Sequence, residues 1–250
     1  MIGCDPDANW VVAPSGATPA QIRQEALGRI VESCSGVVLV DSDDLLHPSR
    51  VAAARTALQR SDLAGCALRL VDQDGKNLDL TFDMPSQLEP EGVFPRNNIF
   101  GFSNSAYRSS LLKRCLPIPA DAVLVDWYLA TRAWLLGAKL AFDHVPRMDY
   151  RQHAANTARV RSPFSRDQVI SDTGLVRRHF ELVLADPAGE FVAARYNELK
   201  RVTKDIEEFY RQVALRPAQL DRYVEAVNAL QPPPLWWSCV AYPALAHMWS

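Results

Sequence analysis

The chain has no apolar run near the roughly 20 residues that a membrane-spanning helix requires, and its first residues lack the basic-then-apolar pattern of a signal peptide. A cytoplasmic location is therefore the expectation. It has no excess of either charge: 27 Lys and Arg stand against 29 Asp and Glu, a formal net charge of -2, so electrostatics give no reason to expect nucleic acid. It has no paired cysteines. Cys4, Cys34, Cys66, Cys115 and Cys239 are odd in number and scattered, without a C-x-x-C pair or a zinc spacing, which points to reduced thiols and away from a disulfide framework. No internal repeat and no long low-complexity segment is found.

What is present is ordinary globular material. The 250 residues are 48% hydrophobic and 22% charged, enough to bury a core as one large domain or as one domain with an appendage. Trp10 to Ala13 reads as a short strand before a Pro14-Ser15-Gly16 turn. Thr18-Pro19-Ala20-Gln21 reads as a capping box with proline at the first helical position, and Ile22, Ala26, Leu27, Ile30 and Val31 follow at helical spacing until Gly36. Val37 to Val40 fits a buried strand of a parallel sheet. Pro48 to Arg60 reads as a helix, Ala64 to Asp72 as a strand, and Gln73-Asp74-Gly75-Lys76 as a hairpin-like turn. Residues 77 to 103 are turn-rich, Ser105 to Leu112 opens a helix, Val123 to Leu136 is a stronger one, and Lys139 to Phe142 with Val145 returns as a strand. After about residue 160 the pattern is helical, over Asp167 to Leu184, Phe191 to Gln212 and Pro217 to Leu230. Pro232-Pro233-Pro234 then leads to an aromatic tail with Trp236, Trp237, Tyr242 and Trp249.

VVLVDSDDLLHPSR, residues 37 to 50, sets Asp41, Asp43 and Asp44 at the end of the Val37 to Val40 strand. Ligands of alternating strand and helix sheets gather beyond strand C-termini, and carboxylates crowded there repel unless a cation or solvent compensates them. A divalent ion shared with phosphate oxygens is one answer. The plainer one is that Asp43 or Asp44 caps the helix near Pro48 and the others are solvated. A third, the nucleophile and general acid pair of a phosphatase-like D-x-D, is disfavoured by the Leu45-Leu46 continuation and by the lack of a later Gly-Asp acidic motif.

Taken in order, VVLVDSDDLLHPSR, VDQDGKNL, FGFSNSAYRSSLLKRC, LVDWYLATRAWLLGAKLAF and YRQHAANT resemble glycosyltransferase family 2 over roughly residues 18 to 160. The resemblance implies an α/β, GT-A-like (Rossmann-like), mostly parallel sheet with flanking helices. Residues 1–160 would form the nucleotide-sugar-binding domain, lacking the usual first strand, and 161–250 a helical C-terminal region. It also implies an inverting, hexosyltransferase-type enzyme of polysaccharide biosynthesis. Such an enzyme passes a sugar from a nucleotide-diphosphate donor to a hydroxyl of a glycan or lipid-linked acceptor, with Mn2+ or Mg2+ as cofactor.

Carried onto this chain, the resemblance makes Asp126 the general base, although Val125 stands where the family has glutamate. A helix N-cap is the plain alternative for Asp126. Asp43 and His153 would hold the metal, with Asp44 in support. Asp41, Arg23 and Arg151 would contact the nucleotide, and Asn104, Ser105 and Trp127 the acceptor or sugar. Asp5 or Asp7 would stand in for a base-contacting aspartate.

Only 40 residues precede Asp41, fewer than a family member's opening unit occupies. The sheet edge this leaves would be covered by a partner chain such as a second copy, by further N-terminal sequence or by the C-terminal helices. A non-catalytic binding or scaffold domain of the same fold remains the alternative. The aromatic tail is expected to pack as core, against the rival expectation of peripheral contact with the inner face of a membrane near a lipid-linked acceptor.

Overall fold

A computed structural model of the chain describes residues 9–153, 156, 160, 162–185 and 190–250. The first helix, α1 (Pro19–Ile30), starts as the sequence predicts: Thr18 Oγ1 accepts from the Gln21 N–H at 3.2 Å, and Gln21 Oε1 accepts from the Thr18 N–H at 2.8 Å. It stops at Ile30, and Gly36 instead opens strand β1 (Gly36–Val38). Then follow β2 (Leu45–Leu46), α2 (Arg50–Ala57), β3 (Leu63–Val71), β4 (Asn77–Phe82), α3 (Pro90–Val93), β5 (Ser105–Arg108), α4 (Ser109–Cys115), α5 (Val125–Leu135) and β6 (Leu140–Arg151). Among the described residues three α-helices follow, α6 (Arg166–Ala185), α7 (Ala193–Phe209) running into a π turn at Tyr210–Ala214, and α8 (Pro217–Leu230), and a 3-10 helix (Pro243–Met248) lies in the tail.

The architecture is the expected α/β, Rossmann-like class with flanking helices and a C-terminal helical region. The sheet itself is mixed. Its order is β1-β5-β3-β6-β2, with β4 on β3; only β3 and β6 pair in parallel among the described strands. The expected buried parallel strand over Val37 to Val40 is instead an edge strand antiparallel to β5, with Val37 and Leu39 buried and Val40 exposed. A four-residue apolar run encodes neither its neighbour's direction nor what covers its second face. Ser105 to Leu112 also differs from expectation: Ser105–Arg108 is the strand that lies between β1 and β3, and the helix begins at Ser109. The turn-rich stretch from residue 77 contains β4, the second arm of the predicted hairpin. Trp10 to Ala13 is not a strand, and Trp10 and Val12 are exposed. β1 is an edge strand.

Strand β3 is buried at all but one residue and is the axis of the core. Its Gly65 is a close-approach position, since a Cβ there would lie 2.8 Å from Phe142 Cδ2. Helix α5 is mostly apolar, and every one of its residues is buried, Thr131 and Arg132 included, except the half-buried Asp126. The core continues through Trp127 into Phe180 of α6 and on into the tail, where Trp236, Trp237 and Trp249 are each about 95% buried. Tyr223 of α8 pins the tail by donating from its hydroxyl to the Cys239 carbonyl and accepting from the Tyr242 N–H, both at 2.9 Å. The aromatic tail is therefore core. No described helix is long and apolar enough to cross a membrane.

Candidate functional site

Beyond β1 the chain turns sharply, with the Asp44 N–H donating to the Asp41 carbonyl at 3.2 Å, and its three carboxylates part company. Asp41 faces Arg23 of α1 at 3.4 Å, and the Arg23 guanidinium lies 4.2 Å over the Phe102 ring. Burial raises the Asp41 carboxyl above its ordinary range, against the pull of Arg23 and with the Asp43 charge adding to the rise. Asp44 is buried and accepts from the Ser103 hydroxyl and from the Arg151 N–H. Burial pushes its pKa up to about 6 in spite of both donors. Neither Asp43 nor Asp44 caps α2, whose N-cap is Ser49 and carries no side-chain cap bond.

Asp43 is the exposed member of the three, and its Oδ2 lies 2.8 Å from His153 Nε2. Strand β6 delivers this histidine. The Gln152 N–H donates to the Val71 carbonyl at 2.8 Å, extending the parallel β3–β6 ladder. Asn156 then braces the turn by accepting from the His153 N–H and donating to the Arg151 carbonyl. Arg151 acts from behind, its Nε donating to the Asp43 carbonyl at 2.8 Å and its Nη1 to the Gln73 carbonyl at 2.6 Å. The other motif positions 154, 155 and 157, like Asp5 and Asp7, lie outside the described residues.

Asp126 sits in the first turn of α5. One carboxylate oxygen accepts from the Trp127 N–H at 2.8 Å and the other from Asn98 Nδ2 at 3.1 Å. Asp126 is not the N-cap that the plain alternative expects: Leu124 holds that place, and Asp126 is the second residue of the helix and accepts from the very next N–H. Burial raises the Asp126 pKa to about 6; the nearby Asp41 charge adds to the rise, and the Trp127 N–H and Arg23 oppose it.

A cleft of about 260 Å³ joins these groups, lined by Arg23, Asp41, Asp43, Asp126 and His153 together with Phe102, Ser103, Tyr150, Trp236 and Trp237. The four remaining predicted positions stand back from it. Asn104 is buried and braces its loop, donating to the Cys66 and Ile99 carbonyls and accepting from the Gly101 N–H. Ser105 is buried in β5. Trp127 is fully buried, stacked 4.4 Å from the His179 ring. Arg151 holds the backbone of the Asp43 turn and does not line the cleft.

Sequence reasoning missed Trp236 and Trp237 as cleft walls and missed Asn98 altogether. The one signal for the tryptophans was an aromatic pair in a proline-bounded tail, which core packing alone accounts for. Gly101 is what lets Trp236 approach, because a Cβ there would meet its ring at 2.4 Å.

Among the described residues, no group of three or more His, Cys, Asp or Glu side chains converges to hold a metal ion.

No protein-family model and no curated protein sequence matches the chain. Among solved structures, S. aureus TarS 1–349 in complex with UDP-GlcNAc aligns at TM-score 0.48 and 16% identity, over 84% of this chain and 60% of that one. The mannosyltransferase PcManGT from Pyrobaculum calidifontis, in complex with GDP-Man and Mn2+, aligns at TM-score 0.45 and 16% identity, over 90% of this chain and 58% of that one. The chain thus spans about 60% of the length of either.

Proposed function

We propose that the protein is an inverting glycosyltransferase that passes a sugar from a nucleotide-diphosphate donor to a hydroxyl of a glycan or lipid-linked acceptor. The observation that carries this is the convergence of the Asp43–His153 pair and Asp126 on one cleft, in a chain whose ordered motifs resemble glycosyltransferase family 2.

The donor set fits a divalent ion that arrives with its nucleotide. Asp41 is engaged with Arg23 and Asp44 with Ser103 and Arg151; Asp43 and His153, side by side at the cleft, are the carboxylate and imidazole that would hold Mn2+ or Mg2+. Such ions take one or two carboxylates and complete their shells with phosphate oxygens and water. When bound, the ion would neutralise charge on the departing diphosphate.

The remaining chemistry belongs to the chain. Arg23 offers a cation at the cleft beside Asp41, suited to a phosphate or ribose contact. Asp126 takes the proton from the acceptor hydroxyl as that oxygen attacks the anomeric carbon and the bond to the diphosphate breaks. A carboxyl with pKa about 6 is ionised at neutral pH and holds more proton affinity than an ordinary aspartate, as a general base requires.

The two-donor metal set is the observation that favours the second reading, a domain that keeps the fold as a binding module without catalysis. Release of nucleoside diphosphate from a panel of UDP- and GDP-sugars, measured with the wild type and Asp126→Asn, separates the two. Turnover by the wild type that Asp126→Asn abolishes, with nucleotide binding retained, supports transfer; equal turnover in both removes Asp126 as base.

A further inference from the structure

Asn98 is 2% exposed in the loop between α3 and β5. Its Oδ1 accepts from the Phe100 N–H at 3.0 Å, and its Nδ2 donates to Asp126 Oδ2 at 3.1 Å. The amide has one tenable orientation, since a flip would set its NH2 against a peptide N–H and its oxygen against a carboxylate. The Trp127 N–H holds the other Asp126 oxygen. With a donor on each oxygen, the carboxylate is fixed against rotation about its χ2 angle.

The two residues before Asn98 reach the other way. Asn97 Nδ2 donates to the Trp236 carbonyl at 3.3 Å. Arg96 donates to the Ala241 carbonyl at 3.1 Å and pairs with Asp205, whose other oxygen accepts from Trp249 Nε1 at 2.7 Å. Three consecutive side chains therefore grip the tail that walls the cleft on one side and Asp126 on the other.

We infer that Asn98 is a positioning residue for the Asp126 carboxylate, and that the Arg96–Asn98 segment locks the C-terminal aromatic tail to it. The inference rests on the reading of Asp126 as the general base. The charged and titratable groups that face Asp126 are Asp41, Arg23, Tyr107 and Tyr150. Asn98 is the uncharged member of that surround, and its donor favours the ionised carboxylate.

The test needs no substrate. In the full chain with 13C-labelled aspartate, the Asp126 carboxyl is followed by NMR against pH and assigned by its disappearance in Asp126→Asn. Asn98→Leu fills the same space without a donor, and its Asp126 titration should move up by about one pH unit. Asn98→Asp keeps the acceptor for Phe100 but sets a second carboxylate against Asp126. It should give a coupled pair with one proton retained to higher pH. Thermal unfolding checks that each variant is folded. An Asp126 titration unchanged in the folded variants would overturn the inference. Nucleotide binding by the wild type, measured separately, decides the transferase reading.

Discussion

His153 Nε2 lies 2.8 Å from Asp43 Oδ2 across 110 positions of sequence. The contact joins the turn after β1 to the end of β6, and Arg151 secures it from behind through the Asp43 carbonyl. Asp43 and His153 keep 44% and 28% of their side chains accessible, so the pair is open to a ligand at the cleft.

Asp43→Asn and His153→Ala should each weaken Mn2+-dependent binding of nucleoside diphosphate at least about tenfold, about 1.4 kcal/mol. Neither should move the unfolding midpoint of the free protein much, because exposed ion pairs contribute only about 0–1 kcal/mol. Calorimetric titration with UDP and GDP, with and without Mn2+, reads the first effect. Binding retained in both variants would remove the pair from the metal site.

Turnover should rise with pH through about 6 as Asp126 ionises. Its effect on stability has the opposite slope. The folded-state pKa lies above the ordinary 3.8, so its contribution is fully present below about 3.8 and is lost as pH rises through about 6. Asp126→Asn, which carries no charge to bury, should therefore gain stability relative to the wild type as pH is raised from 4 to 7. Paired denaturation curves across that range measure it. A constant difference would contradict the raised pKa.

The sequence disclosed the elements and the identity of the cleft's first carboxylates better than it disclosed pairing. The capping box at Thr18, the β3 strand and the apolar α5 carry local periodicity and cap chemistry that a single segment can show. What Asp41, Asp43 and Asp44 each bind is set by α1, β6 and the loop before β5, and no local pattern encodes that. The crowding of the three carboxylates is resolved by three separate sets of partners, Arg23 for Asp41, His153 for Asp43, and Ser103 with Arg151 for Asp44. Asn104, Ser105 and Trp127 have residue types that suit a sugar site, yet tertiary packing commits all three to the core. Trp236 and Trp237 gave no spacing signal, because a tail can fold back onto any exposed wall.

His179 is buried between Trp127 and Phe180, with Thr131 Oγ1 3.3 Å from its Nε2. Burial pushes its pKa down to about 3 from an ordinary 6.5. The fold holds the neutral ring, so stability present above about 6.5 is lost as pH falls toward about 3. His179→Phe keeps an aromatic ring beside Trp127 and cannot protonate. Its acid unfolding midpoint should lie at lower pH than that of the wild type, read by circular dichroism; an unchanged midpoint would show that His179 does not drive acid unfolding.

Gly101→Ala should destabilise the fold by about 1–3 kcal/mol through overpacking. The added Cβ meets a Trp236 ring already confined by Phe82 at 4.1 Å and by Tyr150 at 5.7 Å between ring centroids. Trp236→Ala should cost about 3–5 kcal/mol. The double variant Gly101→Ala/Trp236→Ala should cost less than the sum of the two, since the clash is gone. Urea denaturation of the three proteins tests this, and strict additivity would contradict the contact.

The central claim is that the cleft binds a nucleoside diphosphate through a divalent ion held by Asp43 and His153. Thermal unfolding of the full chain with UDP or GDP, each with and without Mn2+, tests it most directly. The account predicts a rise in midpoint that requires nucleotide and metal together, equivalent to about 2.7 kcal/mol at a hundredfold excess over Kd, and its loss in Asp43→Asn. No rise with either nucleotide in the presence of Mn2+ would contradict the account.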